Sequence, residues 1–160
     1  MAVPHILQIN RSRGGVPKMP VLEANVTELG IEGDAHNDRR NHGGPERALC
    51  LFANERIEAL RAEGHPISPG STGENITTAG VDWALIVPGA RLRLGPDLLV
   101  EVTRYTTPCT TIQRSFAGHN FARILNDQHP GDSRVYARVL NPGAIRPGDP
   151  IEFVASPFRI

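Results

Sequence analysis

The segment from Arg104 to Ile112 sets a cysteine where a strand gives way to a helix. With Thr107 as the helix N-cap and Pro108 at the first helical position, where its missing N–H is no loss, Cys109 falls at the second position. Free backbone N–H groups and the positive end of a helix there favour thiolate over thiol, the form that a sulfur nucleophile or a soft-metal ligand needs. A small buried hydrophobe beside a turn fits the same residues, so the local segment leaves both readings open.

Other groups able to do chemistry are concentrated between Gly33 and Arg47, a long polar stretch with no apolar periodicity. Asp34, His36 and His42 offer oxygen and imidazole ligands, and with Cys109 a zinc site can be drawn. The spacing argues against it: the histidines are six apart in a loop, and no second cysteine stands two residues from Cys109. Side-chain to backbone bonds that hold the loop are the simpler use of Asp34 and both histidines. A Cys–His nucleophile is drawn as readily, from Cys109 with His36, His42 or His119, but protease-type signatures and a Gly-x-Ser-x-Gly elbow are absent. Finally, Gly43-Gly44-Pro45-Glu46-Arg47 and Gly70-Ser71-Thr72-Gly73-Glu74-Asn75 could cradle an anion on backbone N–H groups, with Arg47 as a forked partner. Neither loop matches a Walker or dinucleotide fingerprint, and ordinary turns with a solvated Arg remain the alternative.

The elements that must position these groups read mostly as short strands. His5 to Ile9 is a strand, followed by a glycine loop ending at Lys18, itself most simply a solvated lysine. Val21 to Leu29 alternates with Ala24 and Val26 inward; Ala48 to Phe52 is a continuous apolar run, with Cys50 a core residue without chemistry. Asn54 is placed to cap a helix running to Ala62, with Ile57 and Leu60 on its apolar face and Gly64 closing it. Ala90 to Leu94 and Leu98 to Thr103 alternate around Gly95-Pro96-Asp97 as a one-sided β-hairpin that delivers the chain to Cys109. Thr110 to Leu125 has helical spacing divided near Gly118 into two short helices. Val135 to Val139 and Ile151 to Val154 are further strands. The pattern predicts a mainly β fold with peripheral helices, closed or nearly closed into a β-barrel, as one domain over residues 1–160.

Composition narrows the function. Seventeen basic and seventeen acidic residues cancel, which gives no field toward nucleic acid or an anionic membrane. No signal-like segment or apolar run of spanning length occurs, so a cytoplasmic protein with its two cysteines as free thiols is expected. Sixteen Gly and fourteen Pro agree with many tight turns.

Six motifs taken in order resemble the MOSC domain, named for the C-terminal part of molybdenum cofactor sulfurases: Gly14-Gly15-Val16-Pro17-Lys18, Gly30-Ile31-Glu32-Gly33-Asp34-Ala35-His36, His42-Gly43-Gly44-Pro45-Glu46-Arg47-Ala48, Gly73-Glu74-Asn75-Ile76, Thr107-Pro108-Cys109, and the stretch from Val139 to Asp149. The resemblance spans nearly the whole chain and points to the small, stand-alone bacterial type. It implies a β-barrel and a molybdenum cofactor (molybdopterin), with Cys109 either ligating the metal or carrying sulfur as a persulfide. It implies further that Lys18 lies near Cys109 and keeps it ionised, that Glu32 accompanies Lys18, and that His36, His42, Arg47, Glu74, Asn75 and Thr107 line the cofactor mouth. Members that bind the cofactor reduce small N-hydroxylated compounds with electrons from a separate protein. A molybdenum-dependent reductase component is thus the expectation, with a sulfur carrier and a non-catalytic cofactor carrier beside it. No zinc, flavin or iron–sulfur cluster is expected, since two cysteines cannot hold such a cluster. A small-molecule substrate and no nucleic acid or membrane partner are expected, and a homodimer is left open.

Overall fold

The computed structural model describes residues 3–35 and 44–155 of the chain. Among these, the strands are β1 (His5–Arg11), β2 (Met19–Val21), β3 (Ala24–Thr27), β4 (Gly30–Ile31), β5 (Leu49–Ala53), β6 (Ile76–Ala79), β7 (Arg91–Leu94), β8 (Leu98–Tyr105), β9 (Val135–Asn141), β10 (Gly143–Ile145) and β11 (Ile151–Ala155). The single α-helix among the described residues, α1 (Asn54–Ala62), is joined by short 3-10 turns, so the fold is mainly β. Eight strands form one sheet in the order β11-β7-β8-β9-β5-β6-β1-β2, and β10-β3-β4 form a small second sheet.

The long sheet does not close into a continuous barrel by strand pairing. Among the described residues, the start of β1 and the start of β11 meet through an isolated bridge between His5 and Pro150, with Ile151 N–H donating to Pro4 C=O at 3.0 Å, Ile6 N–H to Asp149 C=O at 2.9 Å and Gly148 N–H to Ile6 C=O at 2.7 Å. All five residues of β5 are buried, as an inner strand flanked by β9 and β6 requires. Its Leu51 and Phe52 lie in one core cluster with fully buried Phe116, Ile6, Ile9 and Leu92. Each large apolar side chain removed from water in this way stabilises the fold by about 1.5–3 kcal/mol.

The hairpin of β7 and β8 pairs Leu94 with Leu98 across Gly95-Pro96-Asp97, and its inward Leu92, Leu94, Leu98 and Val100 alternate with exposed Arg91 and Arg93. The stretch from Val21 to Leu29 is two short strands rather than one, because β2 pairs with β1 while β3 pairs with β10. Helix α1 buries Ile57 and Leu60 as its spacing requires. Its N-cap is Ala53, without a side-chain bond; Asn54 is already helical and donates to Glu58 Oε1 at 3.2 Å, so it does not cap the helix. At the other end Gly64, at φ +102°, lets His65 N–H reach Leu60 C=O and Gly64 N–H reach Arg61 C=O, the paired bonds that end a helix at a left-handed residue. The predicted pair of helices between Thr110 and Leu125 is instead a series of 3-10 turns, Thr110–Ser115, Ala117–His119 and Phe121–Ile124.

Candidate functional site

Where β8 ends, Cys109 stands at φ −145° and ψ 178°, an extended residue that precedes the 3-10 turn Thr110–Ser115 and accepts its first bond from Ile112 N–H at 3.2 Å. It is therefore the N-cap, not the second residue of an α-helix, and Thr107 lies exposed before it. No α-helix dipole acts at this position. What surrounds the half-buried sulfur is a cavity of about 70 Å³ lined by Lys18, Arg47, Cys50, Asn75, Arg134 and Tyr136, closed by Val16, Thr72, Gly73 and Ile112.

The cavity is built from strand ends. Cys50 on β5 faces Tyr136 on β9 in direct register. Cys50 N–H donates to Asn75 Oδ1 at 3.0 Å and Asn75 N–H to Cys50 C=O at 2.8 Å, which fixes the start of β6 against β5. Asn75 Nδ2 then donates to Asp34 Oδ2 at 2.9 Å, and Asp34 receives Lys18 Nζ on both oxygens, at 2.7 and 2.8 Å. Asp34 also accepts from Ser12 N–H at 2.9 Å, a loop-holding bond of the kind expected of it. Lys18 is not a solvated lysine: its side chain is 7% exposed and that of Asp34 2%, so the ion pair is buried.

Glu74 works one layer further out. It is fully buried and accepts from Gly70 N–H, Thr72 Oγ1 and Thr77 Oγ1, each at 2.9 Å, and burial pushes its carboxyl above the usual range. Gly70 in turn offers its carbonyl to Lys18 N–H at 2.9 Å. It stands at φ +86°, and a Cβ there would lie 2.3 Å from the Lys18 carbonyl oxygen, so only glycine allows this approach.

Three cations line the cavity, Lys18, Arg47 and Arg134, and Lys18 is paired with Asp34. Arg134 is 3% exposed and donates to Thr72 C=O at 2.6 Å; its Nε has no hydrogen-bond partner, and no carboxylate among the described residues pairs with it. A buried guanidinium without a counter-charge is costly and favours an anion in the space it faces. The Arg47 guanidinium sits 5.8 Å from the centre of the Tyr136 ring. Tyr136 is 6% exposed, and burial, with Cys50 nearby, holds its phenol well above the ordinary range. Burial likewise raises the Cys50 thiol, which touches Thr106 Oγ1 at 3.7 Å.

Of the residues singled out from sequence, Cys109, Lys18, Arg47 and Asn75 come together, and Glu74 supports them from behind. Glu32 is exposed and does not line the cavity; the carboxylate against Lys18 is Asp34. Thr107 does not line it either, and His36 and His42 lie outside the described residues. Cys50 lines the cavity as well as the core, contrary to its purely structural reading. Arg134 and Tyr136 were not legible as site residues, since the spacing of the segment marks Val135–Asn141 only as a strand, and Arg134 lies just before it.

A sequence model of the MOSC domain matches residues 38–152. The uncharacterized protein YflK of Bacillus subtilis is 30% identical over 143 residues, which are 88% of this chain and 63% of that protein. Protein YiiM of Escherichia coli is 28% identical over 83% of this chain and 60% of its own length. The chain thus spans less than two thirds of the length of these relatives. A protein of Gibberella moniliformis named "Reductase" is 31% identical over 81% of this chain and 23% of its own length. The crystal structure of YiiM from Escherichia coli superposes with a TM-score of 0.72 at 25% identity, over 99% of this chain and 72% of that one. No helix among the described residues is long and apolar enough to cross a membrane.

Proposed function

Because the chain belongs to the MOSC domain family, we propose that it binds a molybdenum cofactor and reduces N-hydroxylated bases or similar small N-oxygenated compounds, with Cys109 as the protein's ligand to the metal. The observation that carries this reading is the cavity itself: a half-buried thiol beside Arg134, a buried cation that lacks a carboxylate among the described residues. The donor set fits such a group. A cysteine sulfur is a suitable soft donor for molybdenum, and Arg134 and Arg47 suit the anionic parts of a phosphorylated pterin. When bound, the cofactor supplies a metal centre able to pass two electrons.

The chain's own residues then have distinct tasks. Arg134 and Arg47 bind and orient negative charge. Asn75 and Asp34 hold Lys18 in place, so its ammonium borders the cavity at a fixed position. Reduction of an N–OH group to N–H takes two electrons and two protons and releases water, and the electrons come from a separate donor protein. Tyr136 lines the cavity and keeps a proton at Oη, because burial disfavours its phenolate, and in this reading it gives that proton to the leaving hydroxyl. The Gibberella relative's name, "Reductase", supports the redox reading.

A second reading, a sulfur carrier cycling through a Cys109 persulfide, is favoured by one observation: a second thiol, Cys50, lines the same cavity. One experiment separates these readings from a non-catalytic cofactor carrier. The protein is purified from cells that make the cofactor, and molybdenum, pterin and cyanide-releasable sulfur are measured for the wild type and Cys109→Ser. Stoichiometric molybdenum that the variant loses supports the reductase, and releasable sulfur without molybdenum supports the sulfur carrier. Metal and pterin retained by the variant remove Cys109 as the ligand and favour the carrier; a wild type with neither signal sinks both chemical readings.

A further inference from the structure

The chain that follows Cys109 is fastened by a histidine. His65, just past the end of α1, accepts Ala117 N–H on Nδ1 at 3.0 Å, and its ring meets buried Phe116 edge-on, 5.5 Å between ring centres. A backbone N–H can only donate, so Nδ1 carries no proton and the ring is the neutral Nε2–H tautomer. Its side chain is only 10% exposed, and Nε2 lies 3.7 Å from Glu63 Oε1. Arg123, from the turn Phe121–Ile124, holds that carboxylate on both oxygens, at 2.9 and 2.7 Å, and also pairs with Asp132 at 2.7 Å. His129 acts on Glu63 as a further titratable group, and His119, on the same turn as Ala117, is exposed.

The fastened segment belongs to the site. Thr111 and Ile112 line the thiol cavity, and Ile112 N–H is bonded to Cys109 C=O. Phe116 N–H donates to Gln113 C=O at 3.1 Å and His119 N–H to Phe116 C=O at 3.0 Å, so the turn after Cys109 runs by short bonds into the one that His65 holds. Ser115 Oγ, donating to Ser71 Oγ at 2.9 Å, is a second fastening. We propose that neutral His65 latches the segment from Thr110 to His119, and that a proton gained at Nδ1 releases it, so that access to Cys109 rises as pH falls. The proton comes from solvent. Nδ1–H then opposes Ala117 N–H, donor against donor, and that bond is lost, while the imidazolium keeps Glu63 as its counter-charge. The latch stands whichever group the thiol cavity binds.

The test compares the wild type with His65→Asn, whose Oδ1 accepts from Ala117 N–H at any pH and does not titrate. Purified proteins react with dithiodipyridine, a disulfide reagent that remains active in acid, between about pH 8 and 5, the range in which histidines change charge. Peptide mass spectrometry assigns the reaction to Cys109. Both proteins share the thiolate chemistry of Cys109, so the ratio of their rates isolates the latch. That ratio is expected to be near one where His65 is neutral and to rise about five-fold once it is protonated, the worth of one ordinary hydrogen bond. Nitrogen NMR of the wild type, which does not depend on the variant's folding, is expected to show the Nε2–H tautomer and a shift of the Ala117 amide at the midpoint of the His65 titration. A ratio constant across the range, an Ala117 amide that does not move as His65 titrates, or a His65 that stays neutral until the protein unfolds in acid overturns the latch.

Discussion

Asp34 receives the ammonium of Lys18 on both carboxylate oxygens, at 2.7 and 2.8 Å, with both side chains almost fully buried beside the Cys109 cavity. The lysine that borders the thiol is thus already paired, and the pair is anchored through Asn75 to the backbone of Cys50. Removing one partner strands the other charge in a low-dielectric site. Asp34→Asn is expected to destabilise the fold by about 3 kcal/mol, and Lys18→Met with Asp34→Asn together by less than the sum of the two. Urea unfolding of the four proteins in the cycle measures this; additive losses would mean the pair is not coupled.

Gly70 tests the backbone half of the same arrangement. At φ +86°, with a Cβ 2.3 Å from the Lys18 carbonyl oxygen, Gly70→Ala combines a steric overlap with a strained backbone. A loss of about 2–3 kcal/mol is expected, read as a lowered unfolding midpoint, whereas Gly131→Ala, in open space at φ +89°, is expected to lose about 1 kcal/mol. Similar losses at both positions would show that the close approach to Lys18 does not matter.

Glu74 gives a pH signature. Burial raises its folded-state pKa above the unfolded value, so the folded state binds the proton more tightly. Its contribution is fully present below the unfolded pKa, about 4.3, and is lost as pH rises through the folded value. In Glu74→Gln the side-chain oxygen can accept from Gly70 and Thr77 while the amide donates to Thr72 Oγ1, so the variant is expected to fold and to lack this slope. Melting temperatures from pH 4 upward compare the two; parallel curves count against the assignment.

The two thiols should differ in reactivity. Cys50 is 6% exposed and burial raises its thiol, while Cys109 is only half-buried at the cavity mouth. Brief iodoacetamide treatment of the native protein near neutral pH is expected to label Cys109 at least ten-fold faster, by peptide mass spectrometry, because Cys50 is both less accessible and raised by burial. Preferential labelling of Cys50 would reverse the roles assigned to them.

Tyr136→Phe removes the proton held at Oη and keeps the ring under Arg47. In a protein active as a reductase, kcat is expected to fall by about 100-fold with KM and molybdenum content little changed. An unaltered kcat and pH profile would remove Tyr136 from the reaction.

Much of this was legible in the chain because period and turn chemistry are local. The apolar run at Leu49–Ala53, the alternating hairpin around Gly95 and the Ile57 and Leu60 face of α1 each carry their burial in their own spacing. Short segments without a dominant period were harder: the residues after Cys109 form 3-10 turns because tertiary packing of Ile112, Phe116 and Ile124 fixes them, not helix propensity. The MOSC motifs, with Cys109, Lys18, Arg47 and Asn75 among them, were likewise present in the linear order of residues.

What the linear order could not contain is who meets whom across distant strands. Asp34 rather than Glu32 reaches Lys18 because the bonds from Ser12 and Asn75 aim it there. Cys50 and Tyr136 enter the site because β5 and β9 pair in a register that opposes them, and Arg134 because it immediately precedes β9. The sequence by itself determined the longer strands, the family and the position of Cys109 just after a strand end. The tertiary structure alone decided which charges are neutralised around that thiol, since burial and pairing are properties of contacts between residues far apart in the chain.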